Sequence, residues 1–196
     1  MPRCRRTPAG FSLIEVLIVI ALLGILVGLA LPDSNPSLYD QLRATALILK
    51  TDLAYGRSLA VANNSSYQVT FDAKENRYLL EHSGGNAALD KLPDSPFRNL
   101  GDPPDQHIVD LDDLPHLGPT VRILTVTKSL VAPQRVADVE FGPLGETTRT
   151  EETVIWLAVG QDRETRYQTL TIDPVTGLVE IGAYTSEGPP AALLSE

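Results

Sequence analysis

Cysteine is almost missing from this chain: the only one, Cys4, stands among the first few residues. The folded part therefore has no internal disulfide and no cysteine metal cluster, and its stability must come from ordinary packing. Histidine is scarce too, with His82, His107 and His116 the only three. None has the i, i+4 partner of a helical metal pair. The sequence also lacks a nucleophile elbow and a phosphate-cradling glycine loop. Each histidine reads as a surface residue, and Trp156, in a strand pattern, as core. No catalytic residue, cofactor or metal is expected, and the chain is read as non-enzymatic.

Basic charge is thin once the first ten residues are passed. Of the 16 Lys and Arg, Arg3, Arg5 and Arg6 lie there, leaving 13 basic against 25 acidic side chains, a net of −12. Such a surface repels polyphosphate, and no linear basic patch offsets it, so nucleic acid is not an expected partner. With 196 residues, 43% of them hydrophobic, there is room for one domain with a core plus an appendage.

What is abundant is one long apolar run. Residues 11–31, FSLIEVLIVIALLGILVGLAL, are interrupted only by Ser12 and Glu15. As a helix they would span about 31 Å, a bilayer core. Arg3, Arg5 and Arg6 precede the run, while Asp33 and Asp40 follow it, which places the N-terminal end in the cytoplasm. A secretory signal peptide also starts basic and apolar, and Gly28-Leu29-Ala30 would suit its cleavage. The run is longer than the roughly 7–15 residues usual for such a segment, and it contains Glu15. A carboxylate at the centre of an apolar helix costs about 2.5–3.5 kcal/mol, less near its end. Such a residue has either a partner or the favourable positive end of the helix dipole.

Gly10-Phe11-Ser12-Leu13-Ile14-Glu15-Val16, after a short basic leader, resembles the class III signal of type IV pilins and type II secretion pseudopilins. The resemblance implies that a prepilin peptidase cuts after Gly10 and methylates the new N-terminus at Phe11. It further implies that Glu15 pairs with the N-terminal amine of a neighbouring subunit during filament assembly. Cleavage would leave a cationic amine at Phe11, four residues from Glu15 and one helical turn away. A mutual pairing would offset the burial of both charges. Pro32 closes the run, where the resemblance implies a helix kink; a simple helix stop is the alternative.

After the turn-like residues 33–36 a second helix is expected to about Asn63. Leu38, Leu42, Ala46, Leu49, Leu53, Gly56 and Ala60 make its apolar stripe, and the small residues Ala44, Ala54, Gly56, Ala60 and Ala62 would let a sheet approach. The period then changes to two, with strands expected at 67–71, 77–81, 121–126, 136–141, 153–159, 167–172 and 178–181. Turns fall at 72–76, at Gly142-Pro143-Leu144-Gly145, and at Asp173-Pro174-Val175-Thr176-Gly177. A long helix, then Phe141 to Gly145, then Leu170 to Asp173 and Thr176 to Val179, is similar to the GspH/FimT family, the H-type minor pseudopilins and related minor pilins. That likeness covers most of residues 10–181.

The expected organisation is a cleaved leader, 1–10; a transmembrane helix, 11–32; its amphipathic continuation, 33–64; a periplasmic β domain, 65–185; and a flexible tail, 186–196. Segment 83–120, with Pro93, Pro96, Pro103, Pro104, Pro115 and Pro119, reads as a long loop. Its Asp102, Asp105, Asp110, Asp112 and Asp113 read as a solvated acidic surface. The fold class is α+β and pilin-like, a long N-terminal helix packed on an antiparallel β domain. The implied function is a minor pseudopilin of the type II secretion pseudopilus, held in the bacterial inner membrane by a single pass with its C-terminal domain in the periplasm. Its implied partners are the prepilin peptidase, other pseudopilins or pilins, inner-membrane lipid and exported proteins. The alternatives are a minor pilin of a type IV pilus, in biogenesis, adhesion or DNA uptake, and a tethered binding domain with a conventional leader.

Overall fold

A computed structural model describes residues 11–30, 37–93, 101–114, 121–129 and 132–194, without the side chains of 27–30. Gly10, the leader, Pro32 and His116 lie outside the described residues. The chain divides into two compact units, one ending at Pro36 and one beginning at Ser37.

The first unit contains helix α1, Leu13–Ala30. Ser12 precedes it and its carbonyl accepts the amides of Glu15 at 3.0 Å and Val16 at 3.2 Å. Ser12 and Glu15 therefore stand at capping-box spacing. Beyond them the described surface of α1 is apolar all round, with Phe11, Leu13, Ile14, Leu17 and Ile20 exposed.

The second unit is built on helix α2, Leu38–Asn63. Ser37 caps its start, accepting the Asp40 amide at 3.2 Å on Oγ, and Asp40 complements the positive end of the helix. At the other end Asn64 turns left-handed at φ 47°. The Asn64 amide reaches the Val61 carbonyl and the Ser65 amide the Ala60 carbonyl, a Schellman closure.

Among the described residues nine strands follow: β1 Tyr67–Asp72, β2 Arg77–His82, β3 Gln106–Asp110, β4 Val121–Lys128, β5 Gln134–Val136, β6 Asp138–Phe141, β7 Thr153–Val159, β8 Arg166–Ile172 and β9 Val179–Ile181. They form two antiparallel sheets, ordered β3-β2-β1-β6 and β5-β4-β7-β8-β9. Helix α2 packs on β1 and β6 of the first sheet and on β4, β7, β8 and β9 of the second. This is the expected α+β arrangement of a helix on an antiparallel β domain.

One stripe of α2 serves both sheets. Leu42, Ala46, Leu49, Leu53, Gly56 and Ala60 are buried, together with Thr45 and Leu59. They meet Tyr67, Val69, Phe71 and Leu80 from the first sheet and Ile155, Leu157, Leu170 and Ile172 from the second in a single core. Gly56 makes room for the first sheet: a Cβ there would lie 3.0 Å from Leu80 Cδ1. Ala54 and Ala62 instead face solvent and Ala44 is half-buried, so close approach rests on Gly56 and Ala60.

Several expectations are corrected. The Pro-rich segment 83–120 contains β3, whose His107 and Val109 lie opposite Leu80 and Tyr78 on the core face. Leu92 and Leu111, on either side of it, are buried. The strand expected at 136–141 is two strands, β5 in one sheet and β6 in the other, with the change of sheet at Ala137. Residues 186–194 are not a loose tail: Thr185 bridges to Tyr167 just before them, and Leu193 is buried. Trp156 is half-buried, opposite Thr125 and Thr169 on the sheet face turned away from the core. His107 is buried and the His82 side chain is wholly so, against the expectation that both lie at the surface.

Asn76, in the β1–β2 turn, ties the sheets together. Its Nδ2 donates to the Val121 carbonyl at 2.9 Å and to Asp112 Oδ1 at 2.7 Å, and its Oδ1 accepts the Ile123 amide at 3.0 Å. The side-chain amide thus pairs with the backbone of β4 as another strand would. Asn76→Ala leaves a buried donor and acceptor without partners, at about 1–3 kcal/mol each. We expect urea unfolding of the unit from Ser37 onward to show a loss of about 2–4 kcal/mol, whereas Asn76→Ala matching the unchanged chain would refute the tie.

Candidate functional site

Of the residues singled out in the sequence, Phe11 and Glu15 lie at the start of α1, and Gly10 and Pro32 lie outside the described residues. Phe11, Glu15, Val16, Val19 and Ile20 line one shallow groove on its side, and Glu15 is the acidic residue of its first turn. A carboxylate at that position is favoured by the helix dipole. Every other described side chain of this unit is uncharged, so Glu15 is its only described charge. Among the described residues no helix is long and apolar enough to cross a membrane. The described helix has 18 residues, about 27 Å at about 1.5 Å per residue.

A second constellation lies on α2, and the sequence reading did not assemble it. Arg57 Nε donates to the Gly145 carbonyl at 3.1 Å and to the Thr176 carbonyl at 2.7 Å. One guanidinium thus holds the Gly142 to Gly145 turn against the Asp173 to Gly177 turn. The Thr147 amide reinforces this by donating to the Pro174 carbonyl at 2.9 Å. Both glycines are required by the fit. Gly145 has φ 86° and Gly177 φ 63°, and a Cβ on Gly177 would fall 2.0 Å from the Gly145 carbonyl. Asp173 stiffens its own turn, because bonds from the Thr176 backbone and hydroxyl hold its carboxyl below the usual range. The apolar tips of the two turns, Leu144 and Val175, are left 84% and 77% exposed. The signal was present in the sequence as two glycine turns; what was missing was their common anchor 88 and 119 residues earlier.

Beneath α2, the Tyr78 hydroxyl donates to Asp52. Burial pushes the Asp52 carboxyl above its ordinary value of 3.8, against the opposing pull of that hydroxyl and of His107. Burial, then the neighbouring Asp52, raise the Tyr78 phenol well above its ordinary value. This is a structural pair: its groups face the core. In the acidic segment, Asp112 accepts from Asn76 and Asp110 accepts the Asp112 amide at 2.8 Å, and no group of three metal-ligating side chains occurs among the described residues.

Comparison with known proteins adds two findings. Residues 5–31 match the family described as the prokaryotic N-terminal methylation motif. Among solved structures, the chain is similar to the minor pseudopilin EpsH from the type II secretion system of Vibrio cholerae, at 13% identity and TM-score 0.53, covering 78% of this chain and 100% of that one. A second structure of EpsH gives 15% identity and TM-score 0.50, over 74% and 98% of the two chains. The type IV minor pilin FimU of Pseudomonas aeruginosa PAO1 gives 18% identity and TM-score 0.43, over 76% and 97%. No curated protein matches the sequence. The chain therefore carries the N-terminal methylation motif of prepilin-type proteins ahead of a domain with the pilin-like α+β fold of EpsH.

Two outcomes test the geometry. Arg57→Ala removes two charge-assisted bonds and should cost about 1.5–3 kcal/mol in urea unfolding of the unit from Ser37 onward; hydrogen exchange should rise selectively in the two turns. The raised Asp52 pKa means that the folded form binds more protons than the unfolded chain between 3.8 and the raised value. Stability is therefore lost as pH rises through that window and stays lost above it. Asp52→Asn should gain stability relative to the unchanged chain as pH rises above 3.8, and a pH-independent difference would contradict the assignment.

Proposed function

We propose that this prepilin-type chain is a minor pseudopilin, a structural subunit that joins the pseudopilus of a type II secretion system and takes part in protein export. The peptidase cuts between Gly10 and Phe11, the Phe11 amine is methylated, and residues 11–31 anchor the protein in the inner membrane by a single pass. The domain from Ser37 onward then lies in the periplasm. One observation carries this reading: an otherwise uncharged helix start on which the only acid, Glu15, sits one turn from Phe11, inside a matched methylation motif.

The chemistry follows from the two charges. Cleavage creates a cationic amine at Phe11 that the uncut chain lacks there. Neither that amine nor Glu15 is comfortable in hydrocarbon alone, and each costs several kcal/mol if buried unpaired. Pairing the amine of an arriving subunit with the Glu15 position of its neighbour removes both costs at once and sets the axial register of the filament. Pro32, which closes the apolar run, lets the chain bend as it leaves the membrane. The likeness to EpsH, named for its type II secretion system, supports the secretion reading over a type IV pilus, although the motif serves both machines. Membership of the filament is a structural role, with the prepilin peptidase as the enzyme and this chain as its substrate. The exposed turn tips Leu144 and Val175 are the rigid apolar points that the periplasmic domain offers to neighbouring subunits or exported proteins.

Mass spectrometry of the protein from a host with the peptidase should find a mature N-terminus at methylated Phe11. An N-terminus at Leu31 would show a conventional signal peptide instead. Glu15→Ala should leave the protein membrane-inserted but absent from sheared filaments; normal incorporation would rule out the pairing. Co-purification with secretion pseudopilins, rather than with pilus subunits, separates the two machines.

A further inference from the structure

The closure of α2 and the end of β2 bring together three residues that the function above does not use. Ser65 follows the left-handed Asn64, His82 ends β2, and Asp90 follows a short 3-10 turn at Ala87–Leu89 that Asn86 caps. Ser65 Oγ lies 2.7 Å from His82 Nε2. His82 Nδ1 lies 2.7 Å from Asp90 Oδ1. An ionised carboxylate only accepts, so with a neutral imidazole Nδ1 carries the proton and donates to Asp90, which leaves Nε2 to accept the serine hydroxyl. Connectivity of this kind, serine to Nε2 and acid to Nδ1, is what activates a nucleophilic serine, and it is recognised by geometry rather than by chain order.

The surroundings fit that chemistry. The His82 side chain is wholly buried, whereas Asp90 is 53% exposed, so the base is held dry and its orienting acid remains solvated. Tyr67 packs edge-on against the imidazole at 5.1 Å between ring centres and fixes its plane. Over the pair sits Gly84. A Cβ there would fall 2.1 Å from Ser65 Oγ, 2.8 Å from His82 Nε2 and 3.2 Å from the Ser66 amide nitrogen. Gly84 thus packs directly on the nucleophile and its base, beside the amide of the residue after the nucleophile, the position that supplies an oxyanion donor in serine hydrolases.

We propose that Ser65 is an activated nucleophile, with His82 as its general base and Asp90 as a positioning residue, and that it accepts acyl groups from small activated esters. Oγ attacks the ester carbonyl carbon, and the Oγ–C bond forms as the bond to the leaving alkoxide breaks. The hydroxyl proton passes to Nε2 and then to the alkoxide, which departs as the alcohol. The acyl group remains as an ester on Ser65. Asp90 stays ionised and stabilises the transient imidazolium.

The test uses the full chain in detergent, with a fluorophosphonate probe and with p-nitrophenyl acetate, read by peptide mass spectrometry. Ser65 should be modified faster than any other serine. His82→Gln should slow the reaction at least about 100-fold. Gly84→Ala puts a Cβ 2.1 Å from Ser65 Oγ and 2.8 Å from His82 Nε2 and so forces the hydroxyl off its base. Measured on protein whose circular dichroism is native, it should lose modification to a similar extent. Asp90→Asn should slow the reaction and move its pH profile to lower pH, since the imidazolium loses its partner; a merely structural bond would leave that profile unmoved. If folded protein modifies Ser65 no faster than its other serines, or if Gly84→Ala reacts as the unchanged chain does, the proposal is overturned.

Discussion

A single carboxylate in a helix of hydrocarbon side chains is the constraint from which the functional account proceeds. Glu15 stands beside Phe11, Val16, Val19 and Ile20, and no other described side chain of that unit is charged. In water such a group is harmless; once the helix is surrounded by apolar matter, it costs several kcal/mol unless a cation meets it. The proposed cation is made only by removing the leader, which links proteolysis to assembly by electrostatics alone. Before cleavage the Phe11 nitrogen is a neutral peptide group, and Glu15 has no reason to prefer a neighbour over the membrane surface. After cleavage, pairing is the arrangement that leaves neither charge stranded.

The unit from Ser37 onward obeys a different constraint, that one helical stripe must satisfy two sheets. It does so with Gly56 against Leu80 and with leucines elsewhere. The edges of this arrangement are tied by polar groups that imitate backbone. Asn76 completes the start of β4, and Arg57 gathers two turn carbonyls. The result is a rigid domain whose exposed apolar points stand on braced turns rather than on loose loops. The proposed filament role needs that property, because a contact surface that moves loses its binding energy to ordering.

Much of this was legible from residue types and spacing. The α2 stripe showed in its three-and-four recurrence, and the period-two segments located seven strand regions, because alternation reports burial directly. The strand β3 escaped because its inward positions are His107 and Val109, and a histidine on the core face breaks the apolar alternation. The division at Ala137 escaped because a chain passing from one sheet to another keeps a strand-like pattern on both sides. Asn76, Arg57 and the Ser65, His82, Asp90 cluster are invisible to local pattern altogether. Each depends on partners that only the fold brings near. At the N-terminus, Phe11 and Glu15 were singled out by the resemblance of residues 10–16 to a prepilin signal, as were Gly10 and Pro32, which lie outside the described residues and rest on sequence alone.

The central claim is a contact between the amine of one subunit and the acid of the next, and zero-length cross-linking reads that contact directly. Isolated filaments containing this chain would be treated with a carbodiimide and their peptides sequenced by mass spectrometry. The account requires an amide between an N-terminal amine and a Glu15-position carboxylate that belong to different subunits. Filaments in which other amine and acid pairs couple, while Glu15 stays unlinked or joins only the amine of its own chain, would contradict it.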